Sequence, residues 1–215
     1  MTGKTITGIV LLLLLLTAGC VERRERTARI DGSQYFPLNE GDRYIYSGVP
    51  GEITVTRQID SLFTRAYLDS AGEIMTWEDF SRNEDGVFWN NVALAQVDLQ
   101  VHFFPPLPFA PWSKIVGDTL LVSAVEIRSD SVNSHFRIQV ACEILGIEDI
   151  TTPAGTFRDC IKTKVQYSYL DEKVRKIFAD EIIRWFARDV GIVRYQTSSI
   201  SGDLIRATVG GVNYP

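Results

Sequence analysis

The chain has 215 residues, 45% of them apolar, and a formal net charge of −5. That length is ample for one domain with a sizeable core. The acidic balance argues against a nucleic-acid binder, which needs a basic face.

Residues 1–19 read as a secretion signal that is absent from the mature protein. Lys4 and the free amino group make a short positive start. Ile9, Val10 and the leucine run from Leu11 to Leu16 make an apolar core. That core is well short of the roughly 20 residues needed to span a bilayer. Thr17, Ala18 and Gly19 are small enough for a peptidase pocket, and Cys20 follows directly. The segment Leu16 to Cys20 resembles a lipobox, the motif of bacterial lipoproteins, with Thr17 where Leu is commonest and Leu16 one place early. The resemblance implies diacylglyceryl transfer to the Cys20 sulfur, cleavage before it, and acylation of the new amino terminus. The first partner it implies is therefore a membrane, reached through lipid. Two or more acyl chains hold a protein stably, at about 0.8 kcal/mol per buried methylene, where one holds it marginally. Val21 after the cysteine, rather than Asp, points to the outer membrane facing the periplasm in a cell that has one. Residues 20–34 are a polar tether. Its Arg23, Arg24, Arg26 and Arg29, against Glu22 and Glu25, are read first as a solvated linker and second as a contact for anionic head groups.

From residue 35 to 215 a single β-rich domain is expected, because period-two alternation dominates. Ile53, Val55 and Ile59 alternate with polar neighbours, as do Phe136, Ile138, Val140, Cys142 and Ile144, and then Ile161, Val165, Tyr167 and Tyr169. Further strands are expected over 43–47, 62–68, 74–80, 87–89, 94–101, 120–127, 192–197 and 204–209. Turns are expected at Val49-Pro50-Gly51, Asp69 to Gly72, Asp85-Gly86, Pro153-Ala154-Gly155 and Ser201-Gly202-Asp203. The fold class is all-β: a large, curved antiparallel sheet, since a sheet of so many strands must curl, close or split. Residues 172–188 fit either a helix, through Val174, Ile177, Phe178, Ile182 and Trp185, or a strand. The run Phe103 to Trp112 carries four prolines, which argue against helix and central strand. Cys142 and Cys160 sit on opposite parities, one toward the core and one away, which disfavours a disulfide between them.

Three patches resemble the TapB-like domains, a broad group of uncharacterised exported bacterial proteins. The first is Tyr35-Phe36-Pro37-Leu38 through Gly41-Asp42-Arg43-Tyr44-Ile45-Tyr46, with Tyr44 where Trp is usual. The second is Pro108 to Pro111, then Val116-Gly117-Asp118. The third is Thr152 to Cys160, followed by Trp185-Phe186-Ala187-Arg188-Asp189-Val190-Gly191-Ile192-Val193. These motifs are turns and aromatic anchors; they imply a fold and assign no catalytic residue. They favour a strand around Trp185. At the level of architecture the curved sheet further resembles the half-barrel of periplasmic lipoprotein carriers, a weak guide to function.

No chemistry stands out. There is no G-x-S-x-G elbow, Walker loop or H-E-x-x-H. His102 and His135 form no metal spacing, and the cysteines form no CxxC, so no metal or cofactor is expected. Neighbouring carboxylates such as Glu78-Asp79 and Glu148-Asp149 face opposite sides of a strand. Asn83 to Gly86 is a hairpin turn rather than a calcium loop. The best candidate surface is Phe103, Phe104, Leu107, Phe109 and Trp112, too apolar to lie freely in water. It either lines a ligand opening or plugs the end of the sheet, and the plug is preferred. Three functions are weighed: binding of an apolar ligand or lipid, an envelope assembly role through protein contacts, and, last, an enzyme.

Overall fold

The computed structural model describes residues 30–48, 51–97, 99–129, 134–171 and 176–215. The expected signal, Cys20 and the tether up to residue 29 lie outside the described residues.

The domain is all-β. Thirteen strands follow one another in the sheet in chain order. They are β1 (Arg43–Tyr46), β2 (Glu52–Ile59), β3 (Leu62–Leu68), β4 (Ile74–Asn83), β5 (Gly86–Leu94), β6 (Leu99–Pro108), β7 (Thr119–Ser129), β8 (Ser134–Thr152), β9 (Gly155–Asp171), β10 (Lys176–Ala187), β11 (Gly191–Thr197), β12 (Ser201–Val209) and β13 (Val212–Tyr214). Every neighbouring pair is antiparallel. The curvature goes beyond a half-barrel, because β1 also pairs with β12, from Arg43↔Thr208 to Tyr46↔Leu204. That pairing brings the sheet round into a twelve-strand barrel-like ring. Bulges supply much of the bend. The ladder of β8 with β9 shifts register between Ile144 and Gly146 and again between Glu148 and Ile150. Asp159 sits beside the second shift at φ 51.

Turn chemistry sets the hairpins. Thr152 pairs with Gly155, leaving Pro153-Ala154 as a two-residue connection. Asn83 pairs with Gly86, and the Asn83 side chain accepts the Asp85 N–H at 2.8 Å, so Asn83 to Gly86 is a hairpin turn. Asp69 Oδ1 accepts the N–H groups of both Ala71 and Glu73, fixing the turn into β4.

Several expectations are corrected. The 172–188 ambiguity resolves to strand over Lys176–Ala187. The proline run does enter a central strand, since β6 lies between β5 and β7. It is tolerated because the ladder is interrupted there. Pairing with β7 stops at Phe104, and pairing with β5 skips from His102 to Leu107, so Pro105 and Pro106 face no ladder acceptor. The strand expected over 94–101 is two strands joined by a 3-10 turn at Ala95–Val97. Ser201-Gly202-Asp203 is the start of β12 rather than a turn. Strand β13 was not anticipated; three residues carry too little alternation to read. Residues 30–34, read as the end of the tether, are docked: a 3-10 helix forms at Gly32–Gln34, and the Ile30 N–H donates to the Trp112 carbonyl.

Both Cys142 and Cys160 are buried free thiols. They lie on opposite faces, as expected: Cys142 pairs with Val165 on the inward face, whereas Cys160 pairs with Glu148 on the face of Lys162 and Trp185, where it is buried and its thiol donates to the Phe157 carbonyl. Burial pushes each thiol up to about 11. Neutral thiols favour the fold below the ordinary thiol range, and that contribution is lost as pH rises toward 11. Iodoacetamide at pH 8 should therefore spare both cysteines in the native protein and label both in guanidinium, as read by peptide mass spectrometry; fast native labelling would contradict their burial.

The seam between β11 and β12 depends on Gly202. A methyl group there would lie 2.4 Å from the Tyr195 ring and 2.5 Å from the Ser47 carbonyl. Gly202→Ala should cost on the order of 1–3 kcal/mol by overpacking. Gly146→Ala, where a methyl group meets nothing within 4 Å, should stay within about 0.5 kcal/mol in the same denaturation assay.

Candidate functional site

One end of the barrel is filled by two segments that are not strands. Asp31 caps the short helix through its Oδ1, which accepts the Ser33 N–H at 2.9 Å. The helix delivers Tyr35, Phe36 and Leu38 into the core. From the other side, the chain leaving β6 delivers Phe109 and Ala110. The Phe36 ring lies 4.7 Å from Phe109, 5.3 Å from Phe80 and 6.3 Å from Phe186. This aromatic cluster closes the end.

A charged layer rests on it. Arg65 on β3 and Glu78 on β4 are cross-strand partners. They are 4% and 6% exposed. Arg65 Nε donates to Glu78 Oε2 at 2.9 Å, Nη2 approaches the same oxygen at 2.5 Å, and the Tyr67 hydroxyl donates to it at 3.0 Å. The Arg65 guanidinium lies 5.2–5.5 Å from the rings of Phe36, Tyr67, Phe80 and Phe109. Burial opposes its charge, but Glu78 outweighs burial and holds it protonated. Burial likewise drives the Tyr67 hydroxyl far above its ordinary range.

Arg184 on β10 faces the same layer and differs from Arg65 in one respect. Its guanidinium stands 4.4 Å from the Phe109 centroid, and the residue is 8% exposed. Among the described residues it has no carboxylate or carbonyl as hydrogen-bond acceptor. Burial pulls its pKa down; Glu78 opposes this and Arg65 adds to it. Its cross-strand neighbour Thr163 carries a buried hydroxyl with no partner, and the Trp89 indole N–H, above Phe109, also has none.

Beyond this layer lies a second apolar cluster of Phe103, Leu107, Ile138, Val140 and Cys142. Half-buried Val92, Val101, Val122, Val165 and Tyr167 pack against it. At its rim the Tyr167 hydroxyl donates to Asp180 at 3.1 Å. An open depression of about 600 Å³ beside this rim lies mainly on the outer face of the sheet, among Leu121, Ala141, Gln166, Ser168, Ala179 and Glu181.

The residues singled out from the sequence are divided by this arrangement. Phe103 and Leu107, each 7% exposed, are wall residues of the second cluster. Phe109, at 4%, is the platform under both arginines. Trp112 is half-buried and touches both clusters. Phe104 projects outward at 45% exposure, its ring 6.3 Å from His102. Cys20 lies outside the described residues. Arg65, Glu78 and Arg184 escaped the sequence reading. The signal was there: each occupies the apolar parity of its strand, Arg65 with Phe63, Glu78 with Phe80, and Arg184 with Phe186. Among the described residues no group of three His, Cys, Asp or Glu could hold a metal, and no helix is long and apolar enough to cross a membrane.

The outer face carries a separate stripe. Trp185 Nε1 donates to Glu148 at 2.6 Å, Lys162 Nζ lies 4.7 Å from the same ring, and Arg194 beyond it pairs with Asp203 at 2.5 Å. The Trp185 N–H, then Lys162, hold Glu148 below the usual carboxylate range. Every group here has a partner, so the stripe is a cross-strand tie.

A model of the DUF3108-like family matches residues 122–209, from within β7 to the end of β12. No curated protein matches the chain. Among solved structures, a protein from Parabacteroides distasonis provisionally assigned as a lipoprotein is similar at 19% identity and TM-score 0.47, over 80% of this chain and 97% of that one. A protein from Bacteroides fragilis provisionally assigned as exported, with a YmcC-like fold, is similar at 17% identity and TM-score 0.46, over 84% of this chain and 99% of that one.

Proposed function

We propose that this chain is a lipid-anchored protein of the bacterial cell envelope, tethered through Cys20, whose barrel binds an apolar ligand or lipid without catalysis. The lipobox at Leu16 to Cys20 supports the anchor. Val21 favours the outer membrane, facing the periplasm, in a two-membrane cell. The turn motifs that resemble TapB-like exported domains, and the provisional assignments of the two crystal structures, agree with an exported protein.

The observation that carries the binding reading is the asymmetry of the interior. Eight strands make a ring that its own side chains just fill, and twelve make a wider one. Here extra segments fill one end, while inward-facing Val92, Val101, Val165 and Tyr167 at the other remain half-buried. An apolar wall that solvent reaches is what a greasy ligand covers. The enzyme reading stays last, because the buried charged layer, among the described residues, holds arginines, a carboxylate and hydroxyls with no nucleophile–base pair among them.

An assembly role is the second reading. Ile115, Val116 and Leu121 favour it, exposed at 54%, 59% and 70% on the segment entering β7. Ring closure counts against assembly through strand edges, since pairing leaves few of them open.

The test is to purify the native chain and the Cys20→Ser chain from envelope and soluble fractions, then extract each and identify bound lipid by mass spectrometry. The proposal expects the native chain in the membrane fraction, the variant in the soluble fraction, and a stoichiometric lipid in the soluble variant. A lipid-free variant would overturn the binding reading, and a membrane-bound variant would overturn the anchor.

A further inference from the structure

Buried ionised groups are tolerated when paired and hydrogen-bonded, and are costly otherwise. The barrel interior breaks this rule at one place. Arg65 and Glu78 satisfy one another, and Tyr67 donates to the same carboxylate oxygen that Arg65 uses. That leaves the second guanidinium, Arg184, as an excess positive charge held in the same layer. It stands on Phe109, among walls that are otherwise apolar.

Among the described residues the carboxylate that acts on it is Glu78, which Arg65 already engages. The Cys142 thiol is held neutral by burial, although the charge of Arg184 opposes this. Asp180 shares the Arg184 face of β10 but is four residues away toward the rim, with its carboxylate engaged by the Tyr167 hydroxyl. Two donors without acceptors accompany the charge. The Thr163 hydroxyl comes from the cross-strand position of β9, and the Trp89 N–H from an indole 5.9 Å from the Phe109 ring. Positive charge and spare donors facing one layer call for the same complement, an oxyanion. The approach to that layer passes Val165, Tyr167, Val101 and Val92, which suits an alkyl chain and repels a hydrated inorganic ion.

We propose that Arg184 anchors the anionic head of an amphiphile whose tail lies along the second apolar cluster. This rests on the binding reading above and narrows it to a ligand with one acidic head, a carboxylate or a phosphate monoester. Arginine suits either, because its planar fork matches both oxyanions.

The test uses the exported, unlipidated Cys20→Ser chain, stripped of lipid, and three ligands of equal tail length: dodecanoate, dodecyl phosphate and dodecanol. Affinities are read by titration calorimetry below the micellar concentration. At least one anion should bind tenfold or more tightly than the alcohol, and the stronger anion identifies the head. Arg184→Gln should bring the anions down to the alcohol's affinity and leave the alcohol unchanged. Should that variant fail to fold, the wild-type comparison across pH decides: the preference for dodecanoate should vanish as its carboxylate is protonated. Equal binding of alcohol and anions to the wild type would overturn the role of Arg184 and leave apolar binding intact. Absence of binding by all three would overturn both.

Discussion

Replacing Phe109 by Ala should lower stability by about 3–5 kcal/mol, the range for deleting a fully enclosed aromatic side chain. In a domain of this size that corresponds to a fall in Tm of about 10 °C or more. The reason is position. Phe109 touches Phe36, Phe80, Trp89 and Phe186, and it supports both Arg65 and Arg184. Its removal opens a cavity between two segments that hold one end of the barrel shut. Phe104 lies five residues earlier in the same proline-rich run and is 45% exposed. Phe104→Ala should stay within about 0.5 kcal/mol. Thermal denaturation of the two variants separates a plug from a loose apolar lip. Equal, small effects would show that the run does not close the barrel.

Glu78→Ala should be comparably severe, at about 3–5 kcal/mol, because it strands a buried cation. The effect is larger than for an isolated pair, since Glu78 also offsets the charge of Arg184. The paired change Arg65→Met with Glu78→Met should recover much of the loss, because it removes both charges and keeps the volume. Chemical denaturation of the single and double variants gives the coupling directly. If the single substitution costs no more than the double, water already solvates this layer and the pair is not a buried one.

The legible part of this fold was its alternation. A strand such as Glu52–Ile59 was legible, because Ile53, Val55 and Ile59 alternate with polar neighbours. The Pro153-Ala154 and Glu84-Asp85 turns were equally plain, since few residues can occupy such positions. Legibility ended where the two faces stopped differing. Around Trp185, ionic partners cover the outer face so well that Trp185 and Phe186 are both buried, and period two is lost. Cys160 kept the parity the sequence shows, but its burial under that outer face had no local signal. The proline run misled because the prohibition on proline in a central strand applies only where a ladder bond is required.

The interior charges were harder to see for a different reason. A lone arginine at an apolar position of a strand is ordinarily read as an error in the register. Only the ring closure, which sets β3 and β4 against β10, puts Arg65, Glu78 and Arg184 in one layer. Of the sequence-derived candidates, Phe103, Leu107 and Phe109 belong to the proposed site as wall and floor, and Phe104 stands outside it. The charge that would select the ligand had no local signature.

The most direct measurement is a crystal structure of the exported chain grown with the tighter-binding dodecyl anion. The account predicts the head group at salt-bridge distance from the guanidinium at position 184, with the tail running past Val165 and Val101. Density for the anion confined to the outer face, with the barrel interior closed over, would contradict it.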